Sequence, residues 1–255
     1  MRIEHQFSIA GFEVSVSLPN GWDADTLLPS FRPFYGKKEG QEKALLKCTV
    51  CTSVENKAAM PSGELIENTL SDMGYVSLYK EAEGYCVTLS AEQGGTLHVM
   101  QADRRFSTVR VYLHEEDKRA GHALSSLLRI AYSQAVLYWD AVSIHASAVF
   151  CENQAFLFMG KSGTGKSTHS ALWLKYIPGT ELLNDDNPTL RIVNGRVYAY
   201  GTPWSGKTPC YKSLSYPVGG MVRLKQAPAN RFVRQQEIEA FIALFPGCCV
   251  IHQDV

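Results

Sequence analysis

The sequence predicts an α+β, mixed α/β fold in two parts, and three observations carry that reading. Short strand-like segments separated by turn residues fill the chain to about residue 115, helical spacing begins at Ala120, and an apolar strand then runs into a glycine-rich loop that opens a helix. The expected boundary divides a β-rich N-terminal domain, 1–117, from a loop-bearing domain, 118–255.

In the first domain HQFSIAGFEVSVSL, KALLKCTVCTSV, GYVSLYK, GYCVTLSAE, GTLHVMQAD and FSTVRVYLH read as strands of an antiparallel region. Leu124, Leu127, Leu128, Ala131, Ala135 and Tyr138 recur at helical intervals, which predicts a helix of about five turns, with these residues on one face, bridging the halves. VSIHASAVF (142–150) and AFLFM (155–159) follow as two strands around the turn CENQ. STHSALWLKYI is a helix closed by Pro178-Gly179, and ELLNDDNP ends a short strand. TLRIV and RVYAY form a hairpin about Asn194-Gly195, and GTPWSGK (201–207) is a loop. Arg223 and Lys225 follow a strand as solvated cations. No final helix is evident, so the chain is expected either to be C-terminally truncated or to pair its tail elsewhere.

With 255 residues, 45% of them hydrophobic, the chain can bury a sizeable core. Its 25 basic and 25 acidic residues cancel, which removes the long-range field that draws proteins to nucleic acid or anionic membrane. The opening MRIEHQFSIAGFEVSVSLP lacks the pattern of a signal peptide, and no apolar run approaches the ~18 residues of a membrane span. A cytoplasmic protein with no nucleic-acid or membrane partner is expected. The seven cysteines fit free thiols in that compartment. Cys48 and Cys51 form a C-x-x-C, but strand alternation sends them to opposite faces and no second pair has zinc spacing, so no metal is expected there.

Gly160-x4-Gly165-Lys166-Ser167 fits the pattern G-x-x-x-x-G-K-[ST]. Glycines at 160, 163 and 165 permit positive φ and keep side chains out of the concavity. Backbone N–H groups of Gly160, Lys161, Ser162, Gly163, Thr164, Gly165, Lys166, Ser167 and Thr168 are then the candidates to converge on phosphate oxygens. Lys166 brings a point charge to the outer phosphates, Ser167 a hydroxyl for Mg²⁺, and the helix N-terminus its partial positive charge. A bound nucleotide is the expectation.

Asp185 and Asp186 lie 25 and 26 residues after Gly160, behind an apolar Leu182-Leu183. One can bind Mg²⁺ while the other takes a proton from an attacking hydroxyl, and the residue types do not order these roles. A bare acidic pair before Asn187-Pro188 is otherwise a solvated turn. His145 interrupts its strand, and an antiparallel pairing with the next one brings it toward the end that carries Lys166, where it can ligate a metal or orient a carboxylate; a lone strand histidine is more often simply packed. Gly201, Trp204, Ser205, Gly206 and Lys207 form either an acceptor or anion site, with Lys207 on the transferred phosphate and Trp204 excluding water, or a surface turn with a packed tryptophan.

Together IHASAV, GKSGTGKSTHS and LLNDD resemble the HPr kinase/phosphorylase family, on the phosphoenolpyruvate carboxykinase-like fold. With the preceding helix and GTPWSGK they also look like an uncharacterised bacterial subgroup that has a β-rich N-terminal part. The resemblance runs from about Ala120 to the end of the chain. It implies a P-loop domain on a mixed sheet, ATP and Mg²⁺ as ligands, Asp185 as general base, Asp186 and Ser167 on the metal, and His145 beside the aspartates. VYAYGTPWSGKTP lacks the acidic residue and the arginine of the HPr kinase signature, which leaves the acceptor open. The implied activity is phosphoryl transfer to a hydroxyl of a small molecule or of a serine in a peptide or protein. The alternative is a nucleotide-responsive binding protein without turnover. Because HPr kinases are hexameric, the resemblance also raises homo-oligomerisation.

Overall fold

The first expected strand folds back on itself as a hairpin, Arg2–Ile9 (β1) and Phe12–Pro19 (β2). Ala10 and Gly11 adopt φ of 50° and 76°, the positive values that a two-residue hairpin turn requires. The computed structural model describes residues 1–36, 44–52, 60–206 and 208–251, and the chain is mixed α/β with two sheets and few helices.

A short helix, Ala24–Leu27 (α1), capped by the Asp23 carboxylate, and a 3-10 turn follow the hairpin. Six strands come next: Leu46–Thr52 (β3), Glu64–Ser71 (β4), Gly74–Glu81 (β5), Gly84–Ser90 (β6), His98–Asp103 (β7) and Thr108–Leu113 (β8). The eight-stranded order is β1-β2-β3-β8-β7-β6-β5-β4. The sheet is mixed, which corrects the antiparallel expectation: β3 runs parallel to β2, which precedes it across α1 and the 3-10 turn, and parallel to β8, with which the chain returns to it after β4–β7. β4 escaped the sequence reading because ELIENTLS is an edge strand, mostly exposed and without alternation. Cys48 and Cys51 are both buried and neither is in a disulfide, and burial pushes the Cys48 thiol up.

Ala120–Ala135 (α2) buries Leu124, Leu127, Leu128, Ala131 and Ala135 as its spacing demands. Tyr138 departs from that face and is 56% exposed, because the chain tightens into a 3-10 turn at Val136–Tyr138. α2 packs on α1 and on β3, β6, β7 and β8 and so belongs to the N-terminal unit rather than bridging two halves. That unit comprises Met1–Trp139 with Val250 and Ile251; the other is Asp140–Cys249, so the division falls after α2 and not at 117.

In the second unit the expected strand 142–150 splits at Ile144-His145 into Ala141–Ser143 (β9) and Ala146–Cys151 (β10). Then follow Gln154–Met159 (β11), Lys166–Tyr176 (α3), Glu181–Asp186 (β12), Thr189–Val193 (β13), Arg196–Tyr200 (β14), Ser215–Arg223 (β15) and Glu237–Leu244 (α4). The strand order is β12-β10-β11-β15-β14-β13-β9, with β11 and β15 parallel. One face buries Ala146, Ala148, Leu157, Met159, Leu183 and Ala199. α3 covers the other through Trp173 on Phe156 and Phe158 and His169 on Phe158. α4 corrects the expectation of no final helix: Ile238, Phe241 and Ile242 recur at helical spacing, and all three are exposed. Arg223, expected to be solvated, donates from Nη1 to the Ile242 and Ala243 carbonyls at 3.0 and 3.4 Å, at the end of α4 where a cation is favoured. Among the described residues no helix is long and apolar enough to cross a membrane.

A buried histidine ties β7 to the start of α2. His98 Nδ1 accepts the His114 N–H at 3.3 Å, so the ring proton sits on Nε2, which donates to Asp117 Oδ2 at 3.2 Å. Burial pushes this imidazole below the ordinary value of 6.5, outweighing the opposing pull of Asp117. The folded state therefore favours neutral His98, whose contribution is complete above about pH 6.5 and is lost as pH falls below it. Urea unfolding should show a lower stability at about pH 5.5 than at about pH 7.5, and His98→Gln should shrink that difference.

Candidate functional site

β10 lies between β11 and β12 and is antiparallel to both, so the end of β11, the start of β10 and the end of β12 meet at one margin of the sheet. Ala146 pairs with Met159 on one side and Asp186 on the other, and Ser147 likewise pairs with Phe158 and Asp185. At a strand spacing of about 4.8 Å, the residue before Gly160 and the second aspartate are then separated by about 10 Å across the sheet.

The loop itself owes its shape to glycine. Gly160, Gly163 and Gly165 have φ of 147°, 79° and 98°. A Cβ on Gly160 would meet Thr164 Oγ1 at 2.7 Å and the Leu224 carbonyl at 3.1 Å, so no side chain fits there. Thr164 closes the turn by donating its N–H and its hydroxyl to the Lys161 carbonyl, at 3.2 and 2.8 Å. Gly165 heads α3, and no side chain caps that N-terminus. Lys161, Ser162, Gly163, Ser167 and Thr168 are exposed. The Lys166 ammonium donates to the Gly160 carbonyl at 3.1 Å, with the Lys161 carbonyl at 3.5 Å. Burial lowers its pKa, while the negative charges of Asp186 and Asp185 act to raise it.

The aspartate pair is not a solvated turn: Asp185 and Asp186 are 6% and 9% exposed. Asp185 Oδ1 accepts the Ser147 hydroxyl at 2.6 Å, and Ser147 Oγ lies 2.6 Å from Ser170 Oγ on α3. Asp185 Oδ2 is buried with no hydrogen-bond partner among the described residues. Asp186 Oδ1 lies 3.2 Å from His145 Nδ1. His145 occupies the break between β9 and β10, and its side chain is 45% exposed, so it is not a packed core histidine.

Asn184, one residue before the pair, fixes the turn beyond it. Its Oδ1 accepts the N–H groups of Asp186 and Asn187 at 3.1 and 2.8 Å, and its Nδ2 donates to the Trp204 and Thr202 carbonyls at 2.9 and 3.3 Å. The Thr202 hydroxyl donates to the Asn187 carbonyl at 2.8 Å. These bonds dock the Gly201–Gly206 loop beside the carboxylates, where Ser205 bridges Asp186 and the Gly206 N–H donates to the Asp185 carbonyl at 3.1 Å. Trp204 is buried and packed, the alternative to an acceptor wall. Lys207 lies outside the described residues. The structure thus brings His145, the Gly160–Thr168 loop, Asp185, Asp186 and the Trp204–Gly206 loop to one sheet margin. Ser147, Ser170, Asn184 and Thr202 were missed in the sequence, because their only signal is strand register, which becomes visible once the β10–β12 pairing is known.

The donors present suit a hard cation. Asp186 and the Ser167 hydroxyl offer oxygen, and the orphaned Asp185 Oδ2 leaves negative charge without a partner. Among the described residues no cluster of three or more His, Cys, Asp or Glu side chains could cage a metal alone. Mg²⁺ is usually held by one or two carboxylates together with phosphate oxygens and waters. No protein-family model matches this chain, and no curated protein is significantly similar to it.

Asn184→Ala should remove the docking of the Gly201–Gly206 loop and leave the Asp186 and Asn187 N–H groups unpaired. The expected cost is about 2–4 kcal/mol. Thermal unfolding would read the loss of stability, and limited proteolysis should find a new cleavage site within residues 201–206.

Proposed function

We propose that the unit Asp140–Cys249 is an HPr-kinase-like P-loop domain of the phosphoenolpyruvate carboxykinase-like fold, transferring the terminal phosphoryl group of ATP to a hydroxyl of a small molecule or of a serine in a peptide or protein. The observation that carries this reading is the shared row Met159–Ala146–Asp186, which holds the glycine loop and the buried carboxylates at one sheet margin. A phosphate cradle, an oxygen-donor set for a cation and a candidate base are the parts that phosphoryl transfer requires.

In this reading the loop N–H groups and Lys166 hold the phosphates, and Asp186 and the Ser167 hydroxyl are the residues that would hold Mg²⁺. When bound, that ion supplies charge neutralisation on the phosphate oxygens. Asp185 acts as general base. The acceptor O–H gives its proton to Asp185, its oxygen forms the new bond to phosphorus, and the bond between the terminal phosphorus and its bridging oxygen breaks to leave ADP. His145 orients Asp186 through its Nδ1 contact. Because Trp204 is packed, acceptor contacts fall to Ser205, Gly206 and the rim of the loop rather than to its indole.

The test is ADP release from Mg-ATP across a panel of polyols, sugars and serine peptides. Asp185→Asn should lower turnover by about 10²–10⁴-fold and leave nucleotide affinity nearly unchanged in calorimetry. Lys166→Ala should instead weaken ATP binding. An Asp185→Asn variant with full turnover would remove the base assignment. Tight ATP binding with no turnover across the panel would favour a nucleotide-responsive binding protein.

A further inference from the structure

We propose that Ser170 and Ser147 form a one-way hydroxyl chain that positions Asp185 and ties its carboxylate to the helix that follows the nucleotide loop. This deepens the phosphotransfer reading and rests on it for its catalytic consequence. The direction of the chain follows from proton inventory. An ionised carboxylate only accepts, so Ser147 spends its single proton on Asp185 Oδ1 at 2.6 Å. The hydroxyl of Ser147 is then left with lone pairs, and Ser170, also 2.6 Å away, must be the donor to it. The sequence Ser170 to Ser147 to Asp185 is the arrangement that satisfies both contacts.

Three elements meet in that chain. Ser170 stands on α3, four residues after Lys166 and hence on the same helix face. Ser147 is on β10, and Asp185 is its register partner on β12. All three are buried, so water does not compete for the short charge-assisted bond. The main chain of Asp185 is held separately by the Gly206 N–H on its carbonyl. With Oδ1 engaged by Ser147, the orientation of the carboxylate plane is fixed and the unpartnered Oδ2 is the oxygen left to receive a proton. A displacement of α3 on nucleotide binding would reach Asp185 through two hydroxyls. Ser147 and Ser170 are accordingly positioning residues, acting on the base and not on the phosphates.

The experiment compares S147A, S170A and S147A/S170A by crystal structure, by ATP affinity in calorimetry and by kcat for ADP release from Mg-ATP with the acceptor panel above. S147A is expected to turn the Asp185 carboxylate away from its present orientation and to lower kcat on the order of 10-fold, with ATP affinity within about twofold. S170A should give a smaller loss, and the double variant should be no worse than S147A, because Ser170 acts only through Ser147. An unmoved carboxylate in S147A overturns the proposal, as does a kcat loss matched by an equal loss of ATP affinity or a double variant in which the two losses multiply. If the unmodified chain releases no ADP with any acceptor, the phosphotransfer reading fails. The carboxylate orientation in S147A then decides the hydroxyl chain by itself.

Discussion

The register of β10 between its two neighbours is the constraint on which the rest of the second unit depends. One strand pairs with the residue that leads into the glycine loop and with the residue that ends the acidic pair, so two segments distant in sequence are held at a fixed separation by backbone hydrogen bonds. Strand alternation then sends Asp185 to the α3 face and Asp186 to the opposite one. A slip of one residue along β12 would exchange those faces and take Asp185 away from Ser147. The ladder carries an irregularity at Ala148/Val149, and Asn184 grips the turn just past it, which holds the register where the ladder alone is weakest.

Burying adjacent carboxylates has a cost, and the surroundings offset it unevenly. Unpaired buried charge is strongly unfavourable, and individual contacts offset it here. Asp186 has His145, Asp185 has Ser147 on one oxygen, and Lys166 lies in the field of both. The second oxygen of Asp185 has nothing among the described residues. Buried polar atoms are normally paired, and local violations of that rule are expected where a site must receive a ligand. The uncapped N-terminus of α3 is the matching feature of opposite sign on the same margin.

What was legible in the sequence was local. The glycine loop, α3 and the Asn194-Gly195 hairpin are written in residues whose backbone preferences act over a few positions, and Asn194 and Gly195 do take φ of 49° and 73°. The helical spacing of α2 held until its last turn. What was not legible depended on distant pairing. ELLNDD reads equally as a strand end or as a wet acidic turn until β10 and the 201–206 loop cover it. In VSIHASAVF His145 interrupts the run without showing that the strand divides there, because the division arises from β13 claiming its first residues and β11 and β12 claiming the rest. Parallel placement of β3 and the burial of both its cysteines have the same origin, since neither can be deduced from alternation within KALLKCTVCTSV.

That break gives the C-terminal segment of the second unit a structural reason. A residue between two strands loses the ladder partners that would fix its backbone, and a side chain on an unfixed backbone cannot hold a carboxylate in one place. The chain supplies replacements from both sides. Ile144 donates its N–H to the Pro188 carbonyl at 3.0 Å, and His145 donates to the Gly247 carbonyl at 2.7 Å. Cys248 bridges Ile144, and the Cys249 N–H reaches the Ser143 carbonyl at 2.9 Å. Gly247–Cys249 therefore stand in for the missing ladder partners and fix the backbone of His145, whose Nδ1 lies 3.2 Å from Asp186 Oδ1. Segments that look featureless as secondary structure are then as necessary to the geometry of the acidic pair as the glycine loop is to the cradle, because both fix backbone positions that side-chain chemistry presupposes.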